Sequence, residues 1–369
     1  MVRRGAVRRD RRLTAAFGAL AVGSLAFAGW HIAGTGEPPE QAYTEIQVVP
    51  KKAGVFSIAI AGDTMFGDGA AELIEAEGVV ATLTGVSGLL RHADVAVVNL
   101  EAPITDRAEP FNPGALYTYA SPPEAADALA AIGVTVLQLG NNHTMDRGGD
   151  GLADTIENAN RVGMVTVGAG ADRTEAVKPV LIRSDGFAVA LVSLGEDYGA
   201  AKRSDKTAPG MVPFSADAVI QAERIARQAG ADRVIALVHW GVNYEEVTET
   251  QHYWAAELSA AGYDAIIGTG SHFLHPVEVV DGVPTAYSIG NFVFGALGRF
   301  NSMGRLGLGA VATISFDADG GTLTLQCLSV NNRLVTYVPR ECDAEESALA
   351  AGELQGGLVW QGSIGTLTF

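Results

Sequence analysis

Asp63, Glu101, Asn142, His143, His239 and His272 each stand at the end of a short apolar run. The runs are Ile-Ala-Ile-Ala-Gly before Asp63, Val-Ala-Val-Val before Asn99 and Glu101, and Val-Leu-Gln-Leu-Gly before Asn142 and His143. Val-Ile-Ala-Leu-Val leads to His239, Ala-Ile-Ile-Gly to His272, and Ala-Tyr-Ser-Ile-Gly to Asn291. Carboxylate, amide oxygen and imidazole together suit manganese, magnesium, zinc or iron. No thiol stands among them, which argues against a structural zinc. Two carboxylates with two or three imidazoles suffice for two ions, a pair that clamps an in-line displacement at phosphorus and acidifies a bridging water.

A strand that ends in ligand-type groups needs a reason. In open α/β sheets, ligands bind outside the carboxyl ends of the strands. Taken singly, each residue has a plainer role: Asp63 as a helix N-cap, Asn142 in a left-handed turn, His143 as a half-buried packed ring. Six such strand ends with six unrelated roles is the poorer account, so one shared rim is expected. Asn99, Asn243, His275 and Asn291 lie beside these residues and are assigned to substrate. For His275, three residues after His272, a metal or substrate contact and local packing both stand.

The elements that must deliver them alternate. From Val55 onward, buried strand-like runs bounded by glycine interleave with helical patterns such as Ser121-Pro122-Pro123 to Gly133 and Ser215 to Gly230. After about residue 273 the pattern turns mostly β, with Asp-Gly and Gly-Gly turns, and Arg333 to Pro339 is read as a strand. This predicts an α/β protein with a mixed sheet, or two stacked sheets flanked by helices. The expected organisation is a signal peptide or membrane anchor over 1–34, a linker over 35–54 and a domain over 55–340. A tail over 341–369 packs on the domain or extends from it.

Composition narrows the partners. A chain of 369 residues, 48% hydrophobic, can bury a large core, and its net charge of −17 argues against a nucleic-acid partner. Six arginines within residues 1–12 precede a charge-free run from Leu13 to Gly34. That pattern starts in the cytoplasm and puts the rest outside, whether the segment is cleaved after Ala26-Phe27-Ala28 or kept as an anchor. The expected place is the extracytoplasmic face of the cell membrane, or the medium after cleavage. Cys327 and Cys342 either form one disulfide in an exported protein or remain two thiols.

The motifs GDTMFGDG, VVNLEAPIT, LGNNHTMDRGGDG, VHWGVNYE, IIGTGSHFLHPVE and AYSIGNFVF follow one another in order. Over roughly Val55 to Gly295 the chain resembles the CapA family of poly-γ-glutamate capsule-synthesis proteins, related to the calcineurin-like metallophosphoesterases. The resemblance implies a four-layer α/β/β/α sandwich of two mixed sheets flanked by helices. It implies divalent metal at Asp63, Glu101, Asn142, His239 and His272, with His143 near the leaving group and Asp146 orienting His143 or the backbone. The chain departs from the family twice: Gly268-Thr269-Gly270-Ser271-His272 stands where Gly-His-His-Pro-His is common, which loses imidazole ligands there, and Asn243 stands in place of a glutamate. Two functions follow. One is a metal-dependent hydrolase acting on an envelope polymer or a phosphorylated intermediate. The other is a membrane-anchored factor that binds polymer, contacts capsule-synthesis membrane proteins and keeps the fold without full activity. An inert surface domain ranks below both.

Overall fold

The structure is a computed structural model that describes residues 42–318 and 320–369. The expected signal or anchor over 1–34 lies outside the described residues. Among those residues no helix is long and apolar enough to cross a membrane.

Strand side chains alternate between faces, so a strand covered on both sides feeds two cores. Phe56–Met65 does this: Ile58 and Ile60 enter one core, Ala59 and Ala61 another. Val95–Leu100 divides likewise, with Val95 and Val97 on one side and Ala96 and Val98 on the other. The first core is shared with Ile182, Leu191, Ile235, Leu237 and Ile267 of a second sheet, so it lies between two sheets packed face to face. The opposite faces are covered by helices. Glu124–Ala131 and Gly148–Arg161 pack on one sheet, while Ala216–Gln228 and Glu249–Ala261 pack on the other. The protein is therefore an α/β/β/α sandwich of two mixed sheets.

In the ten-stranded sheet Phe56–Met65, Val95–Leu100, Val136–Gln138 and Val165–Val167 run parallel in that order, and Leu308–Asp317 joins antiparallel on the other side of Phe56–Met65. In the seven-stranded sheet Phe187–Gly195, Arg233–His239 and Ala265–Thr269 are parallel neighbours. Register sets the side chains: Asp63 pairs with Asn99, Asn291 with Asp63, and His239 with Thr269. The ladder slips between Ala61 and Asp63, and again between Asn291 and Val293, and such bulges re-aim side chains at strand ends. Gly62 sits at the slip because a Cβ there would lie 1.9 Å from the Gly290 carbonyl oxygen.

Two sequence expectations change, and one of the two alternatives for the tail is selected. The linker expected over 35–54 holds a strand, Thr44–Gln47, paired parallel with Val180–Arg183 at the sheet edge, because Ile46 and Val48 pack on the inter-sheet core. Arg333 to Pro339, expected as a strand, begins with the short helix Asn332–Val335, whose start the Asn331 side chain caps. The tail after Glu341 is built into the domain. Helix Ala344–Leu354 starts in an Asp343/Glu346 capping box, and Ile364–Thr368 extends the large sheet beside Gly320–Ser329. Cys327 and Cys342 are disulfide-bonded, which ties this tail to the sheet.

That bridge closes a loop with a sequence separation of 15. Replacing both cysteines by serine is expected to lower unfolding free energy by about 3 kcal/mol. Denaturant unfolding of the double variant against the oxidised parent checks this.

Candidate metal centre

The parallel strands of both sheets end at one place. There Asp63, Glu101 and His239, all fully or almost fully buried, each offer a ligand atom within 4.8 Å of the others. Asp63 is held on both oxygens. Its Oδ1 accepts from Asn99 Nδ2 at 2.8 Å, and its Oδ2 accepts from the Gly270 N–H at 3.2 Å and lies 3.1 Å from His272 Nδ1. Burial works to raise its pKa, but His272 and His239 beside it outweigh that and hold the carboxyl well below the usual range. Glu101 is the opposite case. Burial, and then the negative Asp63 next to it, push its pKa well above the usual carboxylate range. Its Oε2 is buried with no hydrogen-bond partner.

The orientation of the central amides follows from backbone partners, which cannot flip. Asn141 Nδ2 donates to the Leu100 carbonyl at 2.8 Å, and Asn141 Oδ1 accepts from the His143 N–H at 3.0 Å. The same Nδ2 donates to Asn99 Oδ1 at 3.0 Å. Asn99 must then turn its own Nδ2 toward Asp63, Glu101 (3.3 Å) and His239 Nδ1 (3.1 Å). His239 Nδ1 stands between this amide and the Thr269 hydroxyl, 3.1 Å from each. Burial pushes the His239 pKa down to about 3, so its 3.8 Å approaches to Asp63 and Glu101 are not ion pairs at neutral pH.

His143 forms the second half of the site. Its Nδ1 lies 2.7 Å from Asp146 Oδ2, an oxygen that also accepts the Tyr119 N–H at 2.7 Å. The Tyr119 ring lies 4.5 Å from the imidazole, centroid to centroid. An ionised Asp146 has only acceptors, so it holds the His143 proton on Nδ1 and leaves Nε2 as the ring's basic nitrogen. His272 has φ +67, uncommon for a residue with a side chain. The rings of Tyr244 and Phe294 hold it at 5.4 and 4.9 Å, and its Nδ1 meets Asn291 Oδ1 at 3.0 Å.

Not every expected residue meets the cluster in the expected way. Asn99 is fully buried and spends its amide on the ligand-type groups, so it positions them and does not face substrate. Asn291 likewise orients His272. Asn142 Oδ1 is buried without a partner, one residue before His143. Asn243 is exposed and makes no hydrogen bond to the cluster. His275 turns away: its Nε2 meets the Glu245 carbonyl at 2.9 Å, and Phe273 packs edge-on against its ring. Sequence reasoning missed Asn141 and Tyr119. Asn141 stood in view beside Asn142, and only the fold shows that the first amide does the wiring. Tyr119 lies in a loop without periodicity.

The family model described as bacterial capsule synthesis protein PGA_cap matches residues 57–296, which include every residue of this cluster. The chain belongs to the PGA_cap family. This PGA_cap protein is 30% identical over 242 residues to the PGA biosynthesis protein CapA of Bacillus subtilis (strain 168), covering 65% of this chain and 63% of that one. It is 32% identical over 251 residues to the probable polyglutamine synthesis accessory protein MT0602 of Mycobacterium tuberculosis (strain CDC 1551 / Oshkosh), covering 64% and 65%. The chain thus spans just under two thirds of the length of these relatives. The solved Haemophilus influenzae NAD nucleotidase NadN is similar at a TM-score of 0.42 and 15% identity, over 81% of this chain and 55% of that one.

The PGA_cap cluster fits a divalent cation. Its donors are oxygen and nitrogen, and one of its buried oxygens, Glu101 Oε2, lacks any partner. A cation entering there competes with a proton at Glu101, whose pKa is raised by burial and by Asp63. Manganese affinity is therefore expected to fall as pH is lowered, with net proton release on binding. Calorimetry in buffers of differing ionisation enthalpy measures both; pH-independent uptake would contradict the assignment.

Proposed function

We propose that this protein is an extracytoplasmic, metal-dependent hydrolase that acts on an envelope polymer or on a phosphorylated intermediate of its synthesis. One observation carries the reading: a buried carboxylate–carboxylate–imidazole cluster with an unpartnered oxygen, joined through Asn141 to a His143–Asp146 pair. Structural ion pairs satisfy their own polar atoms; this cluster leaves Glu101 Oε2 unsatisfied.

Asp63, Glu101 and His239 would hold the ion, with Asn142 Oδ1 and His272 as further candidates. A divalent cation there would polarise a phosphoryl or acyl oxygen and lower the pKa of a water. Asn99 and Asn141 keep the ligand-type groups in register. Asp146 keeps the His143 proton on Nδ1, so the ring takes up a proton at Nε2 and hands it to the leaving group there. Tyr119 holds that ring against rotation.

Export draws support from the Arg-rich start followed by an uncharged run, and from the Cys327–Cys342 disulfide, a bond that persists in oxidising compartments. The relatives' names, PGA biosynthesis and polyglutamine synthesis accessory protein, favour a glutamyl polymer as substrate and capsule-synthesis membrane proteins as partners. A second reading, a polymer-binding assembly factor, draws on Thr269: its hydroxyl lies 3.1 Å from His239 Nδ1, in the segment where the resemblance leads one to expect another imidazole.

The purified protein is expected to bind manganese and to hydrolyse a generic phosphodiester in a chelator-sensitive way. Asp63→Asn should lose both metal and turnover. His143→Ala should keep its metal while kcat falls by about 10²–10⁴-fold. Metal analysis and steady-state kinetics on the two variants test this; no metal and no turnover, with polymer still bound, would favour the assembly reading.

A further inference from the structure

We propose that Lys202 is an anion-binding residue that receives a carboxylate or phosphate oxygen of the substrate in a groove beside the metal centre. The proposal rests on the reading of that centre as a substrate site. The groove, about 430 Å³, runs between the segment Phe111–Thr118 and the segment Tyr198–Lys202, with Met145 and Asp146 along it. Its walls belong to both halves of the site. Asp146 is the partner of His143, and Tyr198 donates its hydroxyl to the His239 carbonyl at 3.0 Å, with its ring 6.1 Å from the His239 ring. Asp146 and Tyr198 thus connect the groove to the two imidazoles, which stand behind them.

Of the residues that line the groove only Asp146 and Lys202 carry charge. Asp146 is engaged through Oδ2 with the His143 ring and the Tyr119 N–H. The Lys202 ammonium is hydrogen-bonded to the Asn142 carbonyl and stands 3.9 Å from Asp146 Oδ1, beyond hydrogen-bond length. An ammonium has three donors, so donors remain for a ligand, and the side chain is 32% exposed. A chain with net charge −17 repels anions at a distance, so an anionic substrate needs a cation inside the groove. Half-exposed Phe111 lies on the opposite wall and suits the aliphatic part of a chain whose charged end reaches Lys202.

The test uses the full-length protein loaded with manganese and two probes, a γ-linked glutamate decamer and inorganic phosphate, each titrated by calorimetry at low and high salt. Lys202→Gln is expected to weaken at least one probe by about tenfold, the size of one charge-assisted hydrogen bond. Lys202→Arg should restore most of that binding, and bound manganese should stay at the wild-type level in both variants. Loss with the decamer alone assigns the anion to a carboxylate, and loss with phosphate alone to a phosphoryl group. The proposal is overturned if the wild type binds neither probe, or if Lys202→Gln binds both as tightly as the wild type. It is also overturned if Lys202→Gln loses manganese and Lys202→Arg does not restore probe binding, because Lys202 is then only a prop for Asn142. Absent phosphodiester turnover with Lys202-dependent probe binding intact would refute the hydrolase and leave the anion site standing.

Discussion

Two carboxyl groups buried side by side are the constraint around which this protein is built. Asp63 and Glu101 are both fully inaccessible, and two negative charges so placed would repel each other without solvent to screen them. The fold answers unequally. Asp63 receives Asn99, the Gly270 N–H and His272, and stays ionised. Glu101 receives Asn99 at one oxygen and nothing at the other, and its pKa is pushed well up. Such an arrangement is costly as a structural element and useful as a place for a cation.

The cluster also joins the two sheets. Asp63, Asn99 and Glu101 come from one sheet and its following turn, His239 and Thr269 from the other, and Asn99 touches both sides through one amide. Beneath them the inter-sheet core is made of branched aliphatic side chains from both sheets, which fixes how far apart the strand ends can stand. The slips at Asp63 and Asn291, and the positive φ of His272, are local departures from regular geometry concentrated at this seam. Backbone strain of about 1–3 kcal/mol at such a residue is tolerated where the surroundings over-determine it, as Tyr244, Phe294 and Asn291 do here.

Charge is distributed to the same end. The chain is acidic overall, yet the groove beside His143 carries Lys202 directly over the loop that holds Asn142. The strands beyond Leu308–Asp317 are secured differently, by a disulfide and by the helix and strands of the tail.

Residue type and strand periodicity were enough to name Asp63, Glu101, His143 and His239 and to expect them on one rim, because parallel strands present their carboxyl ends together. The sandwich itself came from the resemblance; the alternation along the chain allowed it without requiring it. Hydrophobic alternation is a local property, and it marks Ile58 and Ala59 as facing opposite ways without saying which sheet or helix lies beyond. Partner choice is a different matter. That Asn141 and not Asn142 wires the amide chain, that Asn99 and Asn291 position ligands, that His275 turns to Glu245 and that Thr44–Gln47 is a strand depend on register and close approach between segments distant in sequence. Chain order carries residue types and their periods; only the packed sheets, through bulges and backbone hydrogen bonds, decided which of those side chains point at each other.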